Sequence, residues 1–201
     1  MASELIVQTL KGPTSGANAN KVIIPSGQTL DLAGSTSGVN EIKVAEHWHL
    51  TSSLTISSTA RTTITSNLGR MSTAGHGQIN GGITESSGVF TFPSTGIWFV
   101  NYNANFYADT DVRVIEIRIE MTQDGGTSFT DKSITQAHIT RNNSNNTTSS
   151  AVCQNLLDIT DTSTDKVRFT LEMTNTPVIF QGQDSNPRAR NDFMFIRLGD
   201  T

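Results

Sequence analysis

GVFTFPSTGIWFVNYNANF, residues 88–106, decides how this chain folds. A turn spanning Pro93 to Gly96 separates two β runs. In the second run, period-two alternation places Trp98, Val100, Tyr102, Ala104 and Phe106 on one face and Ile97, Phe99, Asn101, Asn103 and Asn105 on the other. A strand divided in this way has two different neighbours. The aromatic face, joined by Phe90 from the preceding run, is expected to fill a sandwich core. The face led by Phe99 is expected to meet either solvent or another subunit.

Outward from that segment the pattern stays β. Trp48, Leu50, Ser52, Leu54 and Ile56 alternate as a first strand, and residues 62–67 form a short second one. Residues 75–82 carry four glycines around His76 and Ile79 and read as a loop. In residues 112–121, Ile115, Ile117, Ile119 and Met121 face one way and Glu116, Arg118 and Glu120 the other, which predicts one wet side. Asp124, Gly125 and Gly126 close a hairpin, and residues 142–150 form a polar surface loop. Further strands are expected at 133–140, 151–159, 166–173, 178–181 and 192–198. About ten short strands with no helical period predict an all-β antiparallel sandwich or a closed barrel.

Residues 1–40 read as an arm ahead of a head domain at 41–201. Residues 1–20 and 33–40 are small and polar. Between them, Val22, Ile23 and Ile24, a turn at Pro25 to Gly27, and Leu30 and Leu32 make a hairpin-like β element. Two strands of this size are marginal alone, so the element needs the main domain, copies of itself or a host structure to pack against.

Composition removes several function classes. With 201 residues, 16% charged and a formal net charge of -4, the chain has no basic field to hold nucleic acid or an anionic membrane. Ser, Thr and Asn make up about a third of it, which suits hydroxyl-rich strand faces and side-chain-bonded turns. Cys153 is the single cysteine, so no intrachain disulfide forms, and its apolar neighbours predict a buried thiol. The first residues lack the pattern of a secretory signal, and no run approaches the length of a membrane span. The expectation is a protein made in a cytoplasm that stays soluble unless it leaves within a larger particle or by lysis.

The order of these motifs resembles the globular head of complement component one, subcomponent q, within the wider tumour-necrosis-factor-like jelly-roll group. Gly88, Phe90, Pro93, Gly96, Trp98, Val100 and Tyr102 occupy that family's signature positions, with Trp98 where Tyr is usual and Val100 where Phe is usual. The turn at Asp124 to Gly126 and a last strand from Phe193 to Leu198 follow in the family's order. The resemblance implies a homotrimer of ten-stranded jelly rolls. It puts Ile97, Phe99, Asn101 and Asn103 at the inter-subunit contact, and Trp98, Val100, Tyr102 and Phe106 in the core. Upstream, the run NKVIIPSGQTLDL at residues 20–32 resembles a module of tailed-bacteriophage structural proteins, placed ahead of a domain that starts Trp-x-Leu-Thr, here Trp48 to Thr51. That resemblance implies a virion component attached to other virion proteins through its arm. No collagen-like stalk precedes the head, so the ligands of the complement proteins are not carried over.

Candidate chemistry is sparse. His47 and His49, beside Glu46, share a strand face as a metal pair would, but two ligands are too few, and a surface strand end explains them. Asp109, Asp111, Asp124, Asp131, Asp158, Asp161 and Asp165 match no calcium-loop spacing and read as turn formers. Asn142, Asn145 and Asn146 begin Asn-x-Ser/Thr triplets, which accept glycans only in a secretory pathway. Arg188 and Arg190 follow Pro187 in a polar loop, either solvated or touching an acidic glycan or a neighbouring subunit. With no Ser-His-Asp set, phosphate-cradling loop or paired carboxylates at a motif's spacing, neither catalysis nor a cofactor or metal is expected. Host surface glycan is a candidate partner for the loops at 142–150 and 183–190. A soluble carbohydrate- or ligand-binding head outside any virion is the alternative, and a glycan-cleaving appendage would need clustered acidic residues.

Overall fold

Strand β7, Gly96–Ala108, realises its alternation without a break. Trp98, Val100, Tyr102, Ala104 and Phe106 are fully buried, while Ile97, Phe99, Asn101, Asn103, Asn105 and Tyr107 are half-buried. The structure, a computed structural model, describes residues 14–16, 42–72, 74–142, 145–183 and 189–201. The expected β element at residues 21–32 and the candidate Arg188 lie outside the described residues. The chain divides into two units, Met1–Val39 and Asn40–Thr201, and every described strand belongs to the second.

The described strands are β1 (Val44–Leu50), β2 (Ser52–Ile56), β3 (Thr62–Thr63), β4 (Leu68–Arg70), β5 (Thr84–Ser86) and β6 (Val89–Thr91) before β7. After it come β8 (Val112–Thr122), β9 (Thr130–Ile139), β10 (Thr147–Ile159), β11 (Lys166–Met173), β12 (Val178–Gln183) and β13 (Asp192–Gly199). All pairings are antiparallel, and no helix occurs among the described residues. In the front sheet, β10 follows one edge of β7 along its whole length, from Thr147 opposite Ala108 to Ile159 opposite Gly96. The other edge is shared. β13 takes the half from Ile97 to Asn103 and continues to β1 and β4, while β12 takes Phe106 and Tyr107 and continues to β2. The back sheet runs β5, β6, β11, β8, β9, with β3 also on β11.

Between the sheets lies a core of aromatic rings. Phe90 meets Trp48 edge-on at 5.4 Å and lies 5.1 Å from Phe195, and Tyr102 stacks on Phe193 at 4.7 Å. These separations are those at which ring quadrupoles attract. Ile115, Ile117 and Ile119 from β8 and Val167, Phe169 and Leu171 from β11 close the core from the back sheet. Cys153 is fully buried among them, as its apolar phase predicts.

The described residues hold thirteen strands where about ten are expected, because one expected strand breaks and two short strands, β4 and β5, lie outside the expected ranges. The single alternating strand expected over residues 46–56 breaks at Thr51: β1 pairs with β13, and β2 pairs with β12. Of the second expected strand, residues 62–67, only Thr62 and Thr63 are strand, on the back sheet, and Leu68 to Arg70 just beyond it pair on the front sheet, so this segment crosses between layers. β5 and β6 are joined by a two-residue turn in which Ser87 (φ 52) and Gly88 (φ 83) both take positive φ, the geometry of a hairpin turn. A Cβ on Gly88 would overlap the carbonyl oxygen of Ile64, so the signature glycine meets both a conformational and a steric demand.

The expected wet side of β8 is a correction. Glu120 is fully buried and Arg118 is 5% exposed. Arg61, brought over the sheet by the segment before β3, donates to Glu120 at 2.9 Å and to Asp131 at 3.1 Å. Arg168 reaches the other oxygen of Glu120 at 2.5 Å, and the Thr170 hydroxyl donates at 3.0 Å to the oxygen that Arg61 bonds. Arg118 bonds Glu172 and pairs with Glu116. Alternation correctly separated two faces, but a charged face was assumed to be wet, and here its charges satisfy one another.

Candidate functional site

The outward face of the front sheet is where the strand register gathers exposed apolar side chains. Antiparallel partners share a face, so Leu156 of β10, Phe99 of β7, Ile196 of β13 and Ala45 of β1 form one row across four strands. Leu156 is 59% exposed, and the half-buried Phe99 and Ile196 stand beside it. Ile97 and the exposed Leu198 extend the apolar area toward the start of β7. Removing a row of this kind from water is worth about 2 kcal/mol per large side chain. Left wet on a sheet, it favours association.

One row along, Gln154, Asn101, Met194 and His47 stand side by side, and Val152, Asn103, Asp192 and His49 follow. Apart from Met194 and the exposed Val152, this part of the face is polar and internally bonded. Asn103 donates to Asp192 at 3.0 Å, and His47 Nε2 lies 3.3 Å from the other Asp192 oxygen. His76 approaches the His47 ring at 5.7 Å. The surface strand end expected for these histidines is corrected by the structure: His49 is 2% exposed, in the body of the sheet. Glu46, expected beside a metal pair, is also buried and accepts from Trp48 Nε1 at 3.0 Å, Arg70 at 2.9 Å and the Ile83 amide at 2.7 Å. Among the described residues no group of three or more His, Cys, Asp or Glu is arranged to hold a metal ion.

Beyond Asn103 the sheet splits, because β13 leaves the edge of β7 and β12 takes it over. Asn191, fully buried, bridges the split: its amide donates to the Asn105 carbonyl at 2.6 Å and the Gln181 carbonyl at 2.9 Å. Its backbone carbonyl accepts from Leu50 at 3.0 Å. Above this bridge lies a cleft of about 450 Å³ lined by Asn103, Asn105, Thr148, Ser150, Gln181 and Arg190, with Ala189 at its side.

The candidate residues therefore fall in three places. Trp98, Val100, Tyr102, Phe106 and Phe90 are in the core. Ile97, Phe99, Asn101 and Asn103 lie on the outward face, where Phe99 shares its row with apolar neighbours and Asn103 belongs to the polar end. Asn142, Asn145 and Asn146 are exposed just before β10, whose first residue, Thr147, pairs with Ala108 at the cleft end of β7. Arg190 is exposed and bonded to Gln181. The expected loop at 142–150 is shorter than read, since β10 already begins at Thr147. Sequence reasoning missed Leu156, Ile196 and Asn191. The outward phase of Leu156 was visible in its alternation with Cys153 and Leu157, but its place beside Phe99 needed the register.

Among the aspartates, Asp124 holds the β8–β9 turn by accepting from the amides of Thr127 at 2.9 Å and Ser128 at 3.0 Å. The Ser128 and Thr122 hydroxyls add to these bonds and hold its carboxyl well below the usual range. Asp165 is buried and accepts from the amides of Thr160 and Asp161. Both are turn formers.

No family model matches the sequence, and no curated protein matches it. Solved structures do match the fold. The Eiger TNF of S. frugiperda superposes with a TM-score of 0.51 at 13% identity, over 80% of this chain and 96% of that one. Murine APRIL gives 0.50 at 8% identity, over 77% of this chain and 98% of that one. With two antiparallel sheets and this strand order, the chain has an all-β jelly-roll fold similar to that of these two proteins.

Proposed function

We propose that this chain is a virion structural protein of a tailed bacteriophage, a homotrimeric jelly-roll head fastened to the particle by its N-terminal arm. The observation that carries the assembly part is the row of Leu156, Phe99 and Ile196, apolar side chains on the outward sheet face of which Leu156 is exposed and Phe99 and Ile196 are only half-buried. Second and third copies of the same face are the cover this reading supplies. The virion part is supported by the resemblance of residues 20–32 and of the Trp48 to Thr51 start to phage structural modules. In this reading the protein is made in a host cytoplasm and resides in the virion. It works by shape and repeated weak contacts to a host surface glycan, without catalysis or a cofactor. Three equivalent heads raise avidity, so each contact can be weak.

Proteomic mapping of purified particles tests the placement. The protein is expected in stoichiometric amounts, and its absence from particles overturns the virion role. The polar cleft at Asn105 and Arg190 favours a second reading, a soluble carbohydrate- or ligand-binding module outside a virion. That reading gains if the protein is a stable oligomer, absent from particles, and still binds saccharide.

A further inference from the structure

We infer that the cleft at the split of the front sheet binds an acidic saccharide, with Arg190 receiving the sugar carboxylate. The inference names the ligand class of the adsorption reading above and rests on the head being a binding module, not on how many copies assemble.

The cleft is a consequence of topology. β7 has no strand partner on its second edge between Asn103 and Phe106, because β13 and β12 diverge there and Asn191 spans the gap with one side-chain amide. The floor is therefore made of Asn103 and Asn105. One wall is β10, whose Ser150 stands directly opposite Asn105 and whose Thr148 stands opposite Tyr107. The other wall is Gln181 and Arg190.

The chemistry of this lining selects a ligand class. It offers amides, hydroxyls and a guanidinium, and among the described residues no carboxylate lines it. Amides and hydroxyls both donate and accept, which suits the hydroxyls of a sugar ring. Among the described residues, the side chains of Asn105, Thr148 and Ser150 make no hydrogen bond, so the half-buried Asn105 and the exposed Thr148 and Ser150 present polar groups not yet satisfied within the fold. Arg190 forms no ion pair among the described residues; its one bond is to the neutral oxygen of Gln181. A carboxylate in the cleft can take the guanidinium in a bidentate, charge-assisted pair. Among the described residues, Asp192 beside Asn103 is turned to Asn103 and His47 and its side chain is 12% exposed, so it opposes a ligand charge only weakly. About 450 Å³ holds a di- or trisaccharide stretch, not a long polymer segment. Among the described residues no aromatic ring lines the cleft as a stacking platform, so single-site affinity is expected on the order of millimolar.

The same face thus has two ends with separate work. Leu156, Phe99 and Ile196 form the apolar end, and the cleft lies at the polar end beside the start of β10.

Titration of the isotope-labelled full chain with trigalacturonate, monitored by NMR shifts, tests the inference, with neutral galactotriose, acetate and sulfate as parallel probes. Trigalacturonate is expected to shift Asn105, Ser150 and Gln181 and to bind at least tenfold more tightly than galactotriose or either simple anion. Arg190→Ala is expected to weaken it at least tenfold, with Arg190→Lys restoring part of the loss, and Ser150→Ala a smaller amount. Equal binding of galactotriose, equal binding of acetate or sulfate, no shifts at the cleft, or an Arg190→Ala variant that binds as before would each overturn the inference. Sedimentation of the same samples separates this result from assembly. A well-assembled protein that ignores trigalacturonate removes the ligand and leaves the structural role, whereas a monomer that binds it removes the trimer and leaves the cleft.

Discussion

Phe99 on β7 stands directly opposite Leu156 on β10, and both lie on the face of the front sheet that points away from the core. On the other side of Phe99 is Ile196 of β13. The inward neighbours Trp98 and Val100 are completely buried, so the fold needs no contribution from the outward row to close its own core. The proposed assembly uses this apolar row, spare to the core, as the contact between copies of the chain.

Glu120 is the hub of the back sheet's outer surface, holding Arg61, Arg168 and Thr170 at once. Glu120→Ala leaves two guanidinium groups without their shared carboxylate and is expected to cost about 3 kcal/mol of unfolding free energy. Urea unfolding of the two proteins side by side measures it. A loss below about 1 kcal/mol would mean that Arg61 and Arg168 find water or other carboxylates at little cost.

Asp124 makes stability depend on pH in a defined direction. The Ser128 and Thr122 hydroxyls, then the turn amides, hold its carboxyl below the ordinary value. Its contribution is full above the unfolded pKa of about 3.9 and is lost as pH falls through the lower folded value. Asp124→Ala is therefore expected to melt below wild type at pH 6, with the gap narrowing steadily below about pH 4. A gap that stays constant down to pH 2 would contradict this account of the turn.

Asn191 ties β7, β12 and β1 together at the split in the front sheet. Asn191→Ala strands the carbonyls of Asn105 and Gln181 and is expected to cost about 2 kcal/mol or more. The loss should be local as well as global. Hydrogen exchange is expected to speed up in β12 and β2 before it does in β10, and uniform acceleration would show that the bridge does not hold the branch.

Much of this fold was legible because period-two alternation is a local property. Residues 96–108 show their two faces in the sequence, and residues 166–173 form the strand expected there. What alternation does not carry is register. Only the pairing of Thr147 through Ile159 against β7 sets Leu156 beside Phe99, and nothing near either residue encodes that pairing. Cover was equally hidden. The charged phase of β8 looked solvated because Arg61, which roofs Glu120, comes from 59 residues away in sequence. The cleft depends on a branch between β13 and β12 and on Asn191, which in sequence is one polar residue at the end of a polar loop. Of the candidate loop residues, Arg190 falls at that cleft and Asn142, Asn145 and Asn146 fall at the same end of the sheet, just before β10.

The central claim is that the row of Leu156, Phe99 and Ile196 joins three copies of this chain. Sedimentation equilibrium of the purified protein at micromolar concentration tests it directly, with Phe99→Asp run beside wild type and circular dichroism confirming that both are folded. The account predicts three chain masses for wild type and a folded single chain for Phe99→Asp. A wild-type protein that sediments as a stable monomer, or a Phe99→Asp variant that remains trimeric, would contradict it.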